Sequence, residues 1–201
     1  MSKTPAMFRA LTRYAEFNGR SNRAEFWWFL LGIYLIEGLL YGGLYLSSLK
    51  NGRFDLETFL PHYMQFSPII SLFGLAILVP ILAVTVRRLH DINHSGWWIV
   101  APMVVSVVAY VVFLMVKGEE LFTLMLNMGQ QMQEMETSNP GALMNPMTSM
   151  TTVLKLEWPL FQLMLPWVLI PSLCAQLVFY VFLALPGSAG DNRFGPAPAK
   201  G

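Results

Sequence analysis

Four stretches of this chain stay apolar for longer than a water-soluble fold can use. Phe26–Leu46, Phe66–Val86, Trp97–Val116 and Leu165–Leu185 are nearly free of charge. Each has the roughly 20 residues that an α-helix needs to cross a hydrocarbon core. Inside a bilayer every backbone N–H and C=O must find its partner within the protein, which a helix achieves alone and an open strand does not. Composition agrees, with 55% hydrophobic and 12% charged residues against roughly 25% charged in soluble domains. The expectation is an all-α membrane protein with four transmembrane helices at about 26–46, 66–86, 97–116 and 165–185, one polytopic domain over 1–201.

The connecting stretches give the punctuation. Phe8, Leu11 and Tyr14 or Ala15 recur at helical spacing, with Arg9, Arg13 and Glu16 on other faces. That pattern suits either a short interfacial helix at the headgroups or a polar leader. Gly19-Arg20-Ser21 breaks it, and Asn22 with Glu25 has the logic of a capping box that starts the first long helix. That helix is too long for a signal peptide and no small-residue cleavage site follows, so a retained anchor is expected. A polar connection over 49–65 carries Lys50, Arg53, Asp55, Glu57 and His62. Pro68 lies near the start of the second span and Pro80 inside it. Such prolines are tolerated in membranes where neighbouring groups satisfy the freed carbonyl.

Residues 117–157 form a long, acidic, methionine-rich loop. Met125, Met128, Met132 and Met135, extended by Leu121 and Leu124, predict an amphipathic helix, followed by a flexible Asn-Pro-Gly tract with Met144, Met147 and Met150. Thioethers can hold copper(I), but a methionine stripe is more often a contact face, and no metal is assigned. Pro159, Pro166 and Pro171 predict a broken or interfacial lead-in to the fourth span. Cys174 has no partner for a disulfide and is expected as a small buried hydrophobe.

Basic residues divide unevenly. Lys3, Arg9, Arg13, Arg20 and Arg23 precede the first span, Arg87 and Arg88 follow the second, and Arg193 and Lys200 follow the fourth. The other two connections hold Lys50, Arg53, Lys117 and Lys155. The basic excess predicts both termini in the cytoplasm and the methionine-rich loop outside, in the periplasm of a bacterium. Gly19–Glu25, Arg87–Ser95 and Gly187–Arg193 then share one membrane face.

Those blocks carry a resemblance. Phe17-Asn18-Gly19-Arg20-Ser21-Asn22-Arg23-Ala24-Glu25-Phe26-Trp27, Arg87-Arg88-Leu89-His90-Asp91 with Ser95-Gly96-Trp97-Trp98, and Pro186-Gly187 with Asn192-Arg193-Phe194-Gly195 together resemble the bacterial inner-membrane family called domain of unknown function 805. The resemblance runs over about residues 10–198 and implies a multi-pass inner-membrane protein, with no established activity or catalytic residues. The chain departs from that family at Asn93 and His94, where a glycine and a basic residue are usual, and in the length of its methionine-rich loop.

The candidate site is the cluster Arg20, Arg23, Glu25, Arg87, Arg88, His90, Asp91, Asp191, Asn192 and Arg193. His90 to His94 imitates the two-histidine zinc helix, but Asp91 is short for the general base, Ser95-Gly96 predicts a turn, and no third ligand is near. On a continuing helix Arg87 and Asp91 stand at i, i+4, and Arg88 and Asp91 at i, i+3. Glu25 and Asp191 are the further counter-charges expected for the arginines. The cluster is then either a structural network of ion pairs or a pocket for an anionic headgroup or phosphate. Trp27, Trp28, Trp97 and Trp98 suit an interfacial aromatic belt. A second candidate is Glu37, mid-span, with Gln176, Ser71 or a tyrosine hydroxyl as partner, a carboxylate that a proton-coupled transporter could use. The tail glycines are not a dinucleotide loop, and neither a Ser-His-Asp nor a P-loop pattern stands out. The expectations in order are a non-enzymatic membrane component binding anionic lipid or a partner protein, a small proton-coupled transporter, and a metal-dependent enzyme. No cofactor, catalytic residue or nucleic-acid partner is expected.

Overall fold

The computed structural model describes residues 6–50, 52–141 and 146–198. It is all-α apart from one small hairpin. The order is α1 (Ala6–Thr12), α2 (Arg23–Ser47), β1 (Leu49–Lys50), β2 (Arg53–Phe54), α3 (Leu56–Asp91), a 3₁₀ turn (Gly96–Val100), α4 (Ala101–Ser138), α5 (Pro146–Met164), a π turn (Leu165–Leu169) and α6 (Ile170–Ala184). Four helical stretches are long and apolar enough to cross a membrane: Arg23–Ser47, Thr58–Asp91, Gly96–Ser138 and Glu157–Ala184. Most of their surface faces outward, as lipid-facing helices require. The single domain expected over 1–201 comprises two compact units, Met1–Val100 with Phe179–Gly201, and Ala101–Val178.

In the first unit α2 begins where the sequence places it. Asn22 stands at the N-cap and its side-chain oxygen accepts the Glu25 N–H at 2.8 Å. The next connection is shorter than expected. The hairpin pairs Leu49 with Phe54 and Lys50 with Arg53, and Asp55 then starts α3 ten residues before the expected span. Asp55 is held there by Lys50 at 2.8 Å, by the Thr58 hydroxyl, and by its own N–H to the Ser48 carbonyl at 2.9 Å. The bonds from Lys50 and Thr58 hold its carboxyl below the ordinary value of 3.8, Lys50 contributing most.

Pro61, Pro68 and Pro80 all lie inside α3. A proline leaves the carbonyl four residues earlier without its helical donor. For Pro68 that carbonyl is Met64's, and the Ser67 hydroxyl takes it at 3.2 Å. For Pro80 it is Ala76's, and the Tyr14 hydroxyl reaches across from the N-terminal segment to take it. The second bond ties that segment to α3. The core of this unit joins Ala10 of α1, Phe26, Phe29 and Ile33 of α2, Val84 and Leu89 of α3, Ile92, and Phe179 and Leu183 of α6.

In the second unit the methionine stripe is helical, as its spacing predicts, but it continues α4 without a break. Met125 and Met132 are exposed, whereas Met128 and Met135 are partly covered, and the Thr152 hydroxyl of α5 meets the Met135 sulfur at 3.4 Å. The expected flexible tract is a helix from Pro146 onward, with Met147 and Met150 in it; Met144 lies outside the described residues. The break expected before the fourth span is a π turn inside the stretch Glu157–Ala184, where the Ile170 N–H bonds to the Leu165 carbonyl five residues back. Pro166 sits within it and Pro171 just beyond, and a wider turn is one way a helix accommodates prolines that lack a donor. Cys174 is exposed on α6, not buried as expected.

Candidate functional site

The site is built at the end of the first unit where α2 begins and α3 stops. Three guanidiniums converge there with almost no access to solvent: Arg87 and Arg88 are 0% exposed and Arg20 is 5% exposed. Buried charge needs partners, because desolvation costs several kcal/mol per ion in a real protein. The partners are Glu25 at 4% and Asp91 at 3% exposure. Arg87 Nη2 meets Glu25 Oε1 at 3.0 Å, Arg20 Nη2 meets Asp91 Oδ1 at 2.9 Å, and Arg88 Nη1 meets Asp91 Oδ2. Of the two pairings open to Asp91 on α3, the structure takes the i, i+3 one with Arg88. Arg87 turns instead to α2 and pairs with Glu25. Geometry explains the choice: residues 87 and 88 lie about 100° apart around a helix, so one faces α2 and the other the C-terminal segment.

Each arginine also binds the carbonyls of a different stretch of chain. Arg87 Nη1 donates to the Arg13 carbonyl at 3.1 Å and to that of Glu16, which ties down the turn that follows α1. Arg88 Nε donates to the Leu183 carbonyl at 2.8 Å and its Nη2 to that of Leu185, which caps α6. Arg20 Nη1 donates to the Gly190 carbonyl at 2.6 Å and its Nη2 to that of Ser188 at 2.8 Å. Helix ends leave carbonyls unsatisfied, and guanidiniums supply five donors in a fixed fork. Carbonyl acceptors carry no side-chain signature, so sequence reading had no signal for them. The Arg87 Nε and the Ser21 hydroxyl are buried without a partner among the described residues.

The C-terminal segment docks on the same place. The Ser188 N–H and hydroxyl donate to the Asp91 carbonyl at 2.8 and 3.1 Å, and Asn192 Nδ2 donates to the His90 carbonyl at 2.9 Å. The His90 ring stacks on Phe194 with centroids 4.0 Å apart and meets the Gly19 carbonyl through Nδ1 at 3.1 Å. Gly187 is needed by close approach: a Cβ there would lie 2.2 Å from Asp91 Oδ2.

The remaining expected members stand apart from the buried network. Arg23 is exposed and has no hydrogen bond or ion pair among the described residues. Arg193 is exposed, lies over the Phe194 ring and reaches the Asn93 carbonyl at 3.3 Å. Asp191 is exposed and accepts the Ala197 N–H at 3.1 Å; it is not a counter-charge to any arginine among the described residues. His94 does not join His90, because α3 ends at Asp91 and Asn93 turns left-handed at φ 61°. Its ring packs edge-on against Phe182 at 4.7 Å. Asparagine tolerates that backbone region better than most residues. Among the described residues no three His, Cys, Asp or Glu side chains gather as a metal site.

Between the start of α2 and the C-terminal segment lies an open cleft of about 720 Å³, lined by Arg20, Arg23, Asp91, Gly187, Ser188 and Pro198 among others. Exposed Trp28 follows Arg23 on α2, and exposed Trp97 and Trp98 follow α3. Glu37 is half-buried in α2 with no hydrogen bond or ion pair among the described residues, and Gln176 is exposed on α6 in the other unit.

Comparison with known proteins bears on residues 14–121, which match the family described as protein of unknown function DUF805. Two curated relatives from Escherichia coli K12 are similar. Inner membrane protein YhaH is 32% identical over 90 residues, 45% of this chain and 65% of its own length. Inner membrane protein YhaI is 36% identical over 88 residues, 44% of this chain and 62% of its own length. Each match thus spans less than two thirds of the relative. No solved structure matches. The family match ends before the third block, Pro186–Gly195, which the structure nonetheless joins to the other two through Arg20, His90 and Asp91.

Proposed function

The chain belongs to the DUF805 family of proteins of unknown function, and from that premise we propose that this multi-pass inner-membrane protein is a non-enzymatic membrane component that binds anionic lipid headgroups. The binding end is the one where its three polar blocks meet, turned to the cytosol with both termini. One observation carries the reading: positive charge is in excess at that end. Three buried guanidiniums face two buried carboxylates, and exposed Arg23 and Arg193 stand beside them. Exposed tryptophans at the same end suit headgroup depth.

The division of labour among the arginines follows from their partners. Arg87 and Arg88 direct their donors into the fold, apart from the unpartnered Arg87 Nε, Arg20 divides its own between Asp91 and the C-terminal carbonyls, and Arg23 is available to a headgroup. A basic residue at a membrane surface contributes about 1 kcal/mol toward anionic lipid. Reconstituted into vesicles, the protein should retain anionic lipid in preference to phosphatidylcholine, and Arg23→Ala/Arg193→Ala should weaken that preference severalfold without lowering the thermal midpoint. The preference should collapse at roughly 1 M salt, where the Debye length is about 3 Å. Equal retention of both lipids by the wild-type protein would remove the proposal.

A further inference from the structure

We propose that the open cleft between the start of α2 and segment 186–198 is a binding site for a phosphate group, held by Arg20 and Arg23, with the protein's own C-terminal strap competing for the Arg20 donors. The inference rests on the anionic-lipid reading above and gives it a location and a chemistry. Arg20 is the key residue. Its Nε and Nη2 meet Asp91 Oδ1 at 3.0 and 2.9 Å, and Nη1 and Nη2 also donate to the strap's neutral carbonyls, those of Gly190 and Ser188. A neutral carbonyl is a weaker acceptor for a guanidinium than an anionic oxygen, by about a factor of two. The strap therefore occupies the fork in the manner of a substitute ligand.

Three further observations point the same way. The buried cluster keeps one unbalanced positive charge, which an entering phosphate would neutralise and the carbonyls do not. Arg23 lines the same cleft without a hydrogen bond or ion pair among the described residues. The strap itself has no fully buried residue between Leu185 and Pro198, so little apolar burial opposes its release. Asp91 also lines the cleft, but both its oxygens are engaged, one by Arg20 and the other by Arg88. A phosphate has enough oxygens to accept from two guanidiniums at once, which a carboxylate does less well. The group could belong to a lipid or be free in solution.

Binding in this scheme is coupled to release of the strap. The apparent affinity is lowered by whatever fraction of molecules is strapped, and loosening the strap raises it. Asn192 and Phe194 hold the strap through His90 but do not line the cleft, so Asn192→Ala/Phe194→Ala loosens it and leaves the site. The experiment is native mass spectrometry of the full detergent-solubilised chain, titrated separately with dioctanoyl-phosphatidic acid, dioctanoyl-phosphatidylcholine and inorganic phosphate. Wild type should bind phosphatidic acid over phosphatidylcholine. Arg23→Gln should weaken that binding about tenfold, the loss of one charge-assisted bond. The strap variant should bind severalfold more tightly. Inorganic phosphate competing for the site would identify the free anion as a sufficient ligand, and binding of phosphatidic acid alone would identify the lipid headgroup; either supports the site. Anionic-lipid preference that survives unchanged in both variants would overturn this site and leave the broader reading standing. Absence of that preference in wild type would overturn both. Because Arg23 is exposed, an unchanged thermal midpoint in Arg23→Gln separates lost binding from lost folding.

Discussion

Glu25 and Glu37 lie about three turns apart on one helix, and they have opposite fates. Glu25 is 4% exposed and bonded to Arg87. Glu37 is half-buried, with no hydrogen bond or ion pair among the described residues. The difference is one of position along the helix. At the start of α2 the end of α3 brings Arg87 alongside, and the turn after α1 offers that arginine its carbonyls. At mid-span the neighbours are aliphatic and aromatic. A carboxylate at a helix end is thus absorbed into a lock, while one at mid-helix has no such arginine alongside it among the described residues.

That contrast can be broken most severely at Asp91, which serves two guanidiniums. Asp91→Ala should destabilise the protein by about 3–5 kcal/mol, the range for stripping one partner from a buried ion pair. Chemical unfolding in detergent measures it, and a midpoint near wild type would mean that the cluster does not hold the fold. Gly187→Ala comes next. Its Cβ would sit 2.2 Å from Asp91 Oδ2, so the strap must shift, at about 1–3 kcal/mol as for other overpacked sites. A matching rise in proteolysis after Leu185 would place the damage in the strap.

Glu37→Gln should change stability by less than about 0.5 kcal/mol. A loss as large as that of Asp91→Ala would show that Glu37 has a buried partner after all. The same variant tests proton coupling: abolition of a proton-dependent flux in liposomes would give Glu37 a transport role, and a flux that persists would deny it one. The smallest effect belongs to the exposed pair Arg13–Glu16, joined at 2.7 Å. The hydrogen bond from Arg13 holds Glu16 below its ordinary value of 4.5. A depressed folded-state pKa means that the stabilisation is present above that ordinary value and fades as pH falls through the folded one. Wild type and Glu16→Gln should therefore converge in stability as pH falls below the folded-state value of Glu16, with a difference at pH 7 near the limit of measurement.

Much of the cluster was legible residue by residue. Arg20, Glu25, Arg87, Arg88 and Asp91 declare themselves because charge beside long apolar runs is costly and must be matched. The N-cap at Asn22 was legible for a local reason, the need of a helix's first N–H groups for an acceptor. What could not be read was the pairing. Arg87 and Arg88 are adjacent and chemically identical, and only the direction in which α3 presents each decides that one binds Glu25 and the other Asp91. The same holds for Tyr14, whose hydroxyl satisfies the Ala76 carbonyl freed by Pro80, and for Gly187, whose missing side chain makes room for Asp91. The long reach of α4 was missed because Lys117-Gly118-Glu119-Glu120 ends the third apolar run, yet neither Gly118 nor Gly129 interrupts the helix.

By itself the sequence determined the solvent and the elements. Apolar runs of membrane length compel helices, since no other single segment satisfies its own backbone in lipid, and the polar residues are confined to what lies between and at the ends. The tertiary structure decided what those polar residues do. Three guanidiniums were placed within reach of two carboxylates and the carbonyls of three chain segments, and Arg23 was left over. Hydrogen bonds are short and directional, so which donor finds which acceptor depends on positions set by packing, far below the resolution of spacing along a chain.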